Sequence, residues 1–291
     1  MSHEPRAPKM RIDAHQHFWK FDASEYGWID DTMSALKRDF LPRESKAEMA
    51  RAGFDACVAV QARQTLEEND WLLGLADADP SIAGVVGWVD LQADDVGAQL
   101  ERVSSHPKLV GVRHIVQDER DDGFMGRPAF RRGIARLEDR GLAYDLLVRS
   151  HQLPAAAELV GRFPRQRFVL DHLAKPDIRS REIDSWERDL RRLADCPNVS
   201  AKLSGLVTEA DWRHWTADDL GPYLDVAFDC FGAGRLMIGS DWPVCLLASG
   251  YARAMRVVTD YVSTLSDVDR DRVLGTNARR FWNLPIGETV R

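Results

Sequence analysis

Short apolar segments alternate with amphipathic segments along most of the chain. The apolar segments are rich in Val, Ile, Leu and Ala, which is typical of strands buried on both faces, as in parallel sheets. The predicted strands are residues 11–19, 54–61, 82–91, 109–116, 142–148, 167–172, 198–204 and 235–241.

Segments with helical periodicity follow these strands. The predicted helices are residues 66–78, 94–105, 128–140, 153–163, 184–194, 217–231 and 249–265. Eight strand–helix units in about 250 residues match the number and length of a single (β/α)8 TIM barrel, an α/β fold. The alternative is a doubly wound open sheet, which usually has a glycine-rich phosphate loop after its first strand. This chain has His15-Gln16-His17 there, so we expect the barrel.

Two further segments complete the predicted fold. Residues 18–42 are rich in aromatic and acidic residues and lack a clear period, so we expect an extended loop after strand 1. Such a loop either helps to build a pocket or packs on the surface. Residues 267–284 are expected to form one or two closing helices, with Phe281 and Trp282 on the outside of the barrel.

Composition narrows the range of partners. The 291 residues include 39 Lys and Arg against 46 Asp and Glu, a net charge of −7, so nucleic acid is not an expected partner. No apolar run approaches the roughly 20 residues needed to cross a bilayer, so no membrane contact is expected. Residues 1–9 are expected to be a flexible tail without a signal-peptide core, and residues 10–291 a single domain. The four cysteines are scattered, so we expect reduced thiols and a cytoplasmic location.

Polar side chains follow several of the apolar strands. In a barrel, chemistry gathers at the carboxyl ends of the strands, and charges there are costly to desolvate unless they are paired or used. His114 is expected to be structural, and Lys175 to be solvated. The polar residues at the predicted strand ends are His15, His17, Arg113, His114, Asp171, His172, Lys202, Ser204 and Asp241.

The first strand ends in two histidines, His15 and His17, with Gln16 between them. Residues two apart share a face of a strand, so the two imidazoles can ligate one metal ion or donate jointly to one carbonyl oxygen. We expect His172 and Asp241 to join them. A carboxylate opposite three imidazoles suits a general base for water, although Asp241 can instead cap the following helix.

Five further residues are candidates for substrate binding. Arg113 is interpreted as an anion clamp, with a structural tether as the alternative. Lys202 is a second polar candidate, with its role left open. Trp19, Trp28 and Trp242 suit the apolar faces of a sugar ring, and each is equally compatible with a place in the core.

Six motifs together resemble one family. The chain is similar to the metal-dependent hydrolases of the amidohydrolase superfamily, in the branch that opens sugar and aromatic lactones. Within that branch it is most similar to members that act on L-fuconolactone in sugar-acid catabolism. The motifs are IDAHQHFW at residues 12–19, GVRHIVQDE at 111–119, YDLLV at 144–148, FVLDHLAKP at 168–176, AKLSGLVTEADW at 201–212 and IGSDWPVC at 238–245.

The resemblance implies roles for four residues. Asp241 accepts a proton from the hydrolytic water, and His15, His17 and His172 surround the substrate carbonyl or, together with Asp241, a metal ion. The expected cofactor is one divalent metal ion, most suitably zinc, and catalysis without metal is left open. No organic cofactor is expected.

Two departures from the family pattern argue against a binuclear centre. Binuclear members have a carboxylated lysine at the end of strand four, where this chain has Arg113 and His114. They also have a metal-binding histidine on strand five, whereas residues 144–149 contain none. His151 is expected to begin the next helix instead.

The expected reaction is therefore hydrolysis of an L-fuconolactone-like aldonolactone to the open hydroxy acid. The alternatives are a muconolactone or pyrone-carboxylate hydrolase and a lyase that decarboxylates an aromatic or unsaturated acid. A barrel that only binds its ligand is a further alternative, and the His/His/His/Asp set argues against it. The expected partner is a small-molecule lactone, and a homo-oligomer is left open.

Overall fold

Eight parallel strands form the centre of the protein, in a computed structural model that describes residues 9–284. Each strand is hydrogen-bonded to the next strand of the chain, in the order β1 to β8. Most of the predicted tail, residues 1–8, lies outside the described residues, as do residues 285–291. The strands are β1 Ile12–Gln16, β2 Ala56–Val60, β3 Ile82–Gly87, β4 Leu109–Ile115, β5 Ala143–Leu147, β6 Phe168–Leu170, β7 Val199–Leu203 and β8 Leu236–Ile238.

Helices connect successive strands and surround the sheet, which confirms the predicted (β/α)8 TIM barrel. The predicted bounds of α2, α6 and α8 are confirmed to the residue. Within residues 9–284, no helix has both the length and the apolar character needed to span a membrane. The helices are α1 Pro42–Ala52, α2 Leu66–Ala78, α3 Val96–Ser104, α4 Pro128–Glu138, α5 Leu153–Arg162, α6 Asp184–Ala194, α7 Leu206–Glu209, α8 Ala217–Phe231, α9 Tyr251–Val262, α10 Asp267–Asp271 and α11 Asn277–Trp282.

A buried carboxylate joins the first and last strands of the barrel. Asp13 accepts hydrogen bonds from the backbone N–H of Ser240 at 2.8 Å and from the Tyr251 hydroxyl at 3.0 Å. Gln16 donates to the same carboxylate at 2.7 Å. Beside it, the backbone N–H of His17 donates to Trp242 O at 2.7 Å. These bonds replace a regular ladder between β1 and β8, so the ends of both strands are held together.

The lower interior of the barrel is apolar. Inward-facing residues from seven strands pack there with Trp282 of α11, whose exposed fraction is 3%. The expectation that Trp282 packs on the outside of the barrel is therefore wrong, because the closing helix turns under the barrel and its indole seals the bottom. The inward-facing strand residues are Ile12, Ala14, Ala56, Val58, Val60, Ala83, Val86, Val110, Ala143, Val169 and Met237.

The predicted loop after β1 packs against the barrel through its aromatic residues. Trp19 and Phe40 pair through their backbones and enclose the loop, which contains a short 3-10 helix at Asp31–Leu36. Trp28 lies near the tip, with an exposed fraction of 38%. The loop therefore has a packed base and reaches the carboxyl-terminal mouth of the barrel only near its tip.

Candidate active site

His15 and His17 lie at the carboxyl end of β1 with their rings together. The strand bulges between Asp13 and Gln16, where its pairing with β2 shifts register. The Nε2 atoms of the two histidines are 3.1 Å apart. Nδ1 of His17 donates to Val60 O at 2.8 Å, which leaves the lone pair of this imidazole on Nε2. Gln16 faces the other way and bonds to Asp13 and Ser45, as the alternation predicts.

Asp241 follows β8, the last strand, at the seam where β8 meets β1. Its backbone lies in the left-handed region, with φ of 56°, and its N–H donates to His15 O at 2.9 Å. Oδ1 of its carboxylate lies 3.3 Å from Nε2 of His17 and 3.8 Å from Nε2 of His15. Burial alone would raise the pKa of Asp241, but His172, His17 and His15 outweigh it and hold the pKa below its usual value. Asp241 is therefore a carboxylate at neutral pH.

His172 begins a run of four residues in the left-handed region, which ends at Lys175. This unusual backbone turns the imidazole towards the axis of the barrel, where its Nε2 is 3.9 Å from Oδ1 of Asp241. Nδ1 lies 2.9 Å from the Ser204 hydroxyl. Burial lowers the pKa of His172 to about 4, although the Asp241 carboxylate opposes that shift. The imidazole is therefore neutral at neutral pH.

Three of these side chains suit one metal ion. Tetrahedral ligands at about 2.1 Å from zinc lie about 3.4 Å from one another. The ligand atoms of His15, His17 and Asp241 are 3.1, 3.3 and 3.8 Å apart, which fits that spacing. A second group contains His15, His172 and Asp171. It is less suitable, because Asp171 already bonds to two cations.

Those cations belong to a buried network beneath the histidines. Lys202 lies 2.5 Å from Oδ2 of Asp145, 2.9 Å from Oδ1 of Asp171 and 3.1 Å from Nδ1 of His15. Arg113 donates to Oδ2 of Asp171 at 3.0 Å. Burial would raise the pKa of Asp171, but Lys202, His15 and Arg113 hold it well below the usual range. Burial raises the pKa of Asp145 to about 7, although Lys202 opposes that shift. Lys202, Arg113, Asp145 and Asp171 thus form a charged layer between the apolar floor and the site.

The network changes the interpretation of two candidates. Lys202 has no exposed surface and does not line the cavity, so it does not reach a substrate as the sequence suggested. Arg113 does line the cavity, but it bonds to Asp171 and Gln61 O. These bonds match the structural tether that was the alternative to an anion clamp. His15 is also fully buried and does not line the cavity.

The three tryptophan candidates have different positions. Trp28 lines the cavity. Trp19 is fully buried and its indole N–H donates to Arg38 O at 2.9 Å, and Trp242 is fully buried against Phe40. Neither of these two lines the cavity, so the expectation that they bind the sugar ring is wrong: both belong to the core that supports the loop after β1.

A cavity of about 420 Å³ opens above these groups at the carboxyl ends of the strands. Its walls are formed mainly by loop residues that the sequence did not single out, since nothing in a loop sequence marks the direction of a side chain. Lys175, expected to be solvated, is one of them. The lining side chains with ionisable or aromatic groups are His17, Trp28, Arg113, Asp118, Arg149, His172, Lys175, Glu209, Trp212 and Asp241.

The two remaining histidines that were assigned structural positions lie away from this centre. His114 stacks on Phe124 at 4.8 Å between ring centroids, and its Nε2 is 2.7 Å from Glu119, as a structural residue would be. His151 is exposed in a short 3-10 turn, Ser150–Gln152, directly before α5.

The absence of a side chain at Gly205 leaves room for the imidazole of His172. A Cβ at this position would lie 2.5 Å from Nδ1 of His172 and 3.2 Å from Oδ2 of Asp241, and the backbone φ is +65°. We expect Gly205→Ala to lower kcat/KM by about 100-fold, because a small displacement of reacting groups is costly. The control is Gly221→Ala in α8, where a Cβ meets nothing within 4 Å. Steady-state kinetics on a lactone substrate measure both, and equal rates for the two variants would contradict the expectation.

Comparison with known proteins identifies the family to which the chain belongs. The amidohydrolase family model matches residues 12–284. The L-fucono-1,5-lactonase of Burkholderia multivorans is 43% identical over 289 residues, covering 95% of this chain and 97% of the relative. That of Burkholderia ambifaria is 40% identical, covering 92% and 91% respectively. A crystal structure of a Burkholderia multivorans amidohydrolase with bound zinc has a TM-score of 0.90 and 43% identity, covering 95% of this chain and 100% of that chain. The chain belongs to the amidohydrolase family and is a hydrolase.

Proposed function

We propose that the protein hydrolyses a sugar-acid lactone, of the L-fucono-1,5-lactone type, to the open hydroxy acid. The observation that carries the proposal is the convergence of the Asp241 carboxylate with the imidazoles of His15, His17 and His172 at the floor of one cavity. Relatives at 43% and 40% identity that bear the name L-fucono-1,5-lactonase support the substrate class.

In the proposed reaction, Asp241 acts as general base for a water molecule that attacks the lactone carbonyl. The tetrahedral oxyanion develops beside His172, which lines the cavity. We assign the Ser204 hydroxyl as the donor to Nδ1 of His172, 2.9 Å away, which places the proton of this imidazole on Nε2, the atom that faces the site. Asp241 then returns its proton to the departing ring oxygen, and the carboxylate is regenerated.

The donor set also suits a divalent ion held by His15, His17 and Asp241, and zinc matches two imidazoles and one carboxylate. Such an ion would polarise the carbonyl as a Lewis acid. The relative with bound zinc supports this assignment. His15 then has a direct role despite its burial, since Asp171 and Lys202 hold its ring from below.

The charges around the cavity favour a neutral substrate. Three cations line it, Arg113, Arg149 and Lys175, against three carboxylates, Asp118, Glu209 and Asp241. A dicarboxylate such as a pyrone-carboxylate lactone needs an excess of positive charge in the site, whereas each of these cations has a carboxylate within 4.0 Å that offsets its charge.

A lactone panel tests the proposal. Purified protein of measured metal content is incubated with five- and six-membered aldonolactones, a pyrone-dicarboxylate lactone and aromatic acids, with and without a chelator. We expect acid release from the aldonolactones, followed with a pH indicator. Release of CO₂, or preferential hydrolysis of the dicarboxylate lactone, would replace the proposal with one of its alternatives.

The pH dependence of this reaction follows from the site. His172 has its pKa lowered to about 4, so it is a neutral imidazole above that pH and takes up a proton only below it. Asp241 remains ionised over the same range. We therefore expect kcat/KM to stay level on the acidic side of neutrality and to fall only as the pH approaches about 4. Initial rates in a pH-stat measure this, and an acid limb near the ordinary histidine value of 6.5 would contradict it.

A further inference from the structure

One wall of the cavity holds an ammonium and a carboxylate that do not reach each other. Nζ of Lys175 and Oε1 of Glu209 are 4.0 Å apart, beyond direct hydrogen-bonding distance. Their side chains are 22% and 23% exposed, and both line the cavity. Burial raises the pKa of the Glu209 carboxyl, which shows that this group has lost much of its water. Each side chain therefore retains unused hydrogen-bonding capacity in a mostly desolvated position.

The backbone holds both residues in place. Lys175 ends the left-handed run that begins at His172, and Ser150 Oγ donates to Lys175 O at 3.1 Å. Glu209 ends α7, and its carbonyl accepts a hydrogen bond from Arg179 N at 3.1 Å. The loops after β5, β6 and β7 are thus tied together at this wall. The backbone positions from which the two side chains enter the cavity are therefore fixed.

An aromatic side chain three residues after Glu209 lines the same cavity. Trp212 lines the same cavity, and its indole N–H donates to Thr208 O at 2.8 Å, so the polar edge of the ring is already satisfied. Trp28 lines the cavity as well. Aromatic faces bordered by hydrogen-bonding groups are the surfaces that sugar rings contact, with C–H groups against the ring and hydroxyls against the polar groups.

We propose that Lys175, Glu209 and Trp212 form a hydroxyl-binding wall that selects polyhydroxylated lactones, an inference that rests on the proposed lactonase function. A hydroxyl oxygen about 2.8 Å from each charged atom bridges the gap of 4.0 Å, accepting from Lys175 and donating to Glu209. A substrate hydroxyl can accept one hydrogen bond and donate another at the same time. A ring C–H can do neither, so it leaves both charged groups desolvated and without a hydrogen-bond partner.

The test compares two lactones of the same ring size, L-fucono-1,5-lactone and δ-valerolactone, which lacks hydroxyls. The ratio compared is kcat/KM for L-fucono-1,5-lactone divided by kcat/KM for δ-valerolactone. We expect Glu209→Gln to lower this ratio by about 10- to 100-fold, the range expected for a hydrogen bond to a charged group. If δ-valerolactone is not turned over, its inhibition constant against the sugar lactone replaces its kcat/KM. A ratio that changes by less than about twofold, or an equal loss on both lactones, overturns the proposal.

Lys175→Met supplies a second, independent measurement. Because one hydroxyl bridges both groups, the double variant is expected to lose little more of the ratio than either single variant, whereas independent roles would give additive losses. Glu187→Gln is the matched control, since Glu187 pairs with Arg191 at 2.6 Å on the outer helix α6. A wild-type protein that hydrolyses no lactone refutes the proposed function. A wild type that hydrolyses both lactones with an unchanged ratio in Glu209→Gln refutes only the hydroxyl-binding wall.

Discussion

Asp241→Asn is expected to lower kcat on the lactone substrate by about 1,000-fold, within the range that a general base contributes. Asparagine has the same shape and tolerates the left-handed backbone found here, with φ of 56°, so the fold should be retained. What is lost is the negative charge that accepts the proton from water. Steady-state kinetics together with the melting temperature measure the two effects separately.

The control for this variant is Asp229→Asn on α8, whose side chain is 71% exposed and lies outside the cavity lining. It should match the wild type in both rate and melting temperature. A near-normal rate in Asp241→Asn would remove the assignment of the base. A strongly lowered melting temperature would instead assign Asp241 a mainly structural role at the seam between β1 and β8.

Among the variants considered, Lys202→Met is expected to lower the free energy of unfolding most, by about 3–5 kcal/mol. Lys202 is fully buried between Asp145 and Asp171, at 2.5 and 2.9 Å. Removing its ammonium leaves two carboxylates in the barrel interior with only Arg113 to compensate them. Urea unfolding followed by tryptophan fluorescence measures the change.

A second substitution separates charge from packing in this network. Lys202→Met combined with Asp145→Asn removes one cation and one carboxylate, so we expect it to recover part of the lost stability. Lys46→Met, at a side chain that is 59% exposed, is the control and should stay within about 0.5 kcal/mol of the wild type. A double variant as unstable as Lys202→Met alone would mean that the cost comes from packing rather than from unpaired charge.

Much of the fold could be predicted because burial imposes a period on the sequence. Strands covered on both faces need continuous apolar runs, and the helices that cover them need one apolar face. The type and the order of the strands and helices could therefore be predicted from the sequence. The polar ends of β1, β6 and β8 stood out for the same reason, since a charge after an apolar strand has a cost. This is why His15, His17, His172 and Asp241 could be selected and why the structure brings them together.

The burial depth of individual side chains, and the direction in which they point, could not be predicted. Lys202 is one residue before the end of β7, and the sequence does not reveal that this position faces inward below the cavity. Trp19 and Trp242 are next to site residues in the chain, yet their loops turn them into the core. Lys175 belongs to a loop and Glu209 to the single-turn helix α7, both too short or irregular to give a sequence period, and only the three-dimensional arrangement brings them to the cavity wall.

The position of the Trp282 indole bears on how substrate enters the enzyme and how product leaves it. Its ring lies 5.1 Å from Nζ of Lys202, so it separates the charged layer from the solvent below the barrel. In the proposed reaction, we therefore expect the lactone to enter and the hydroxy acid to leave through the cavity at the carboxyl ends of the strands. The hydroxy acid then has to leave before the next lactone enters.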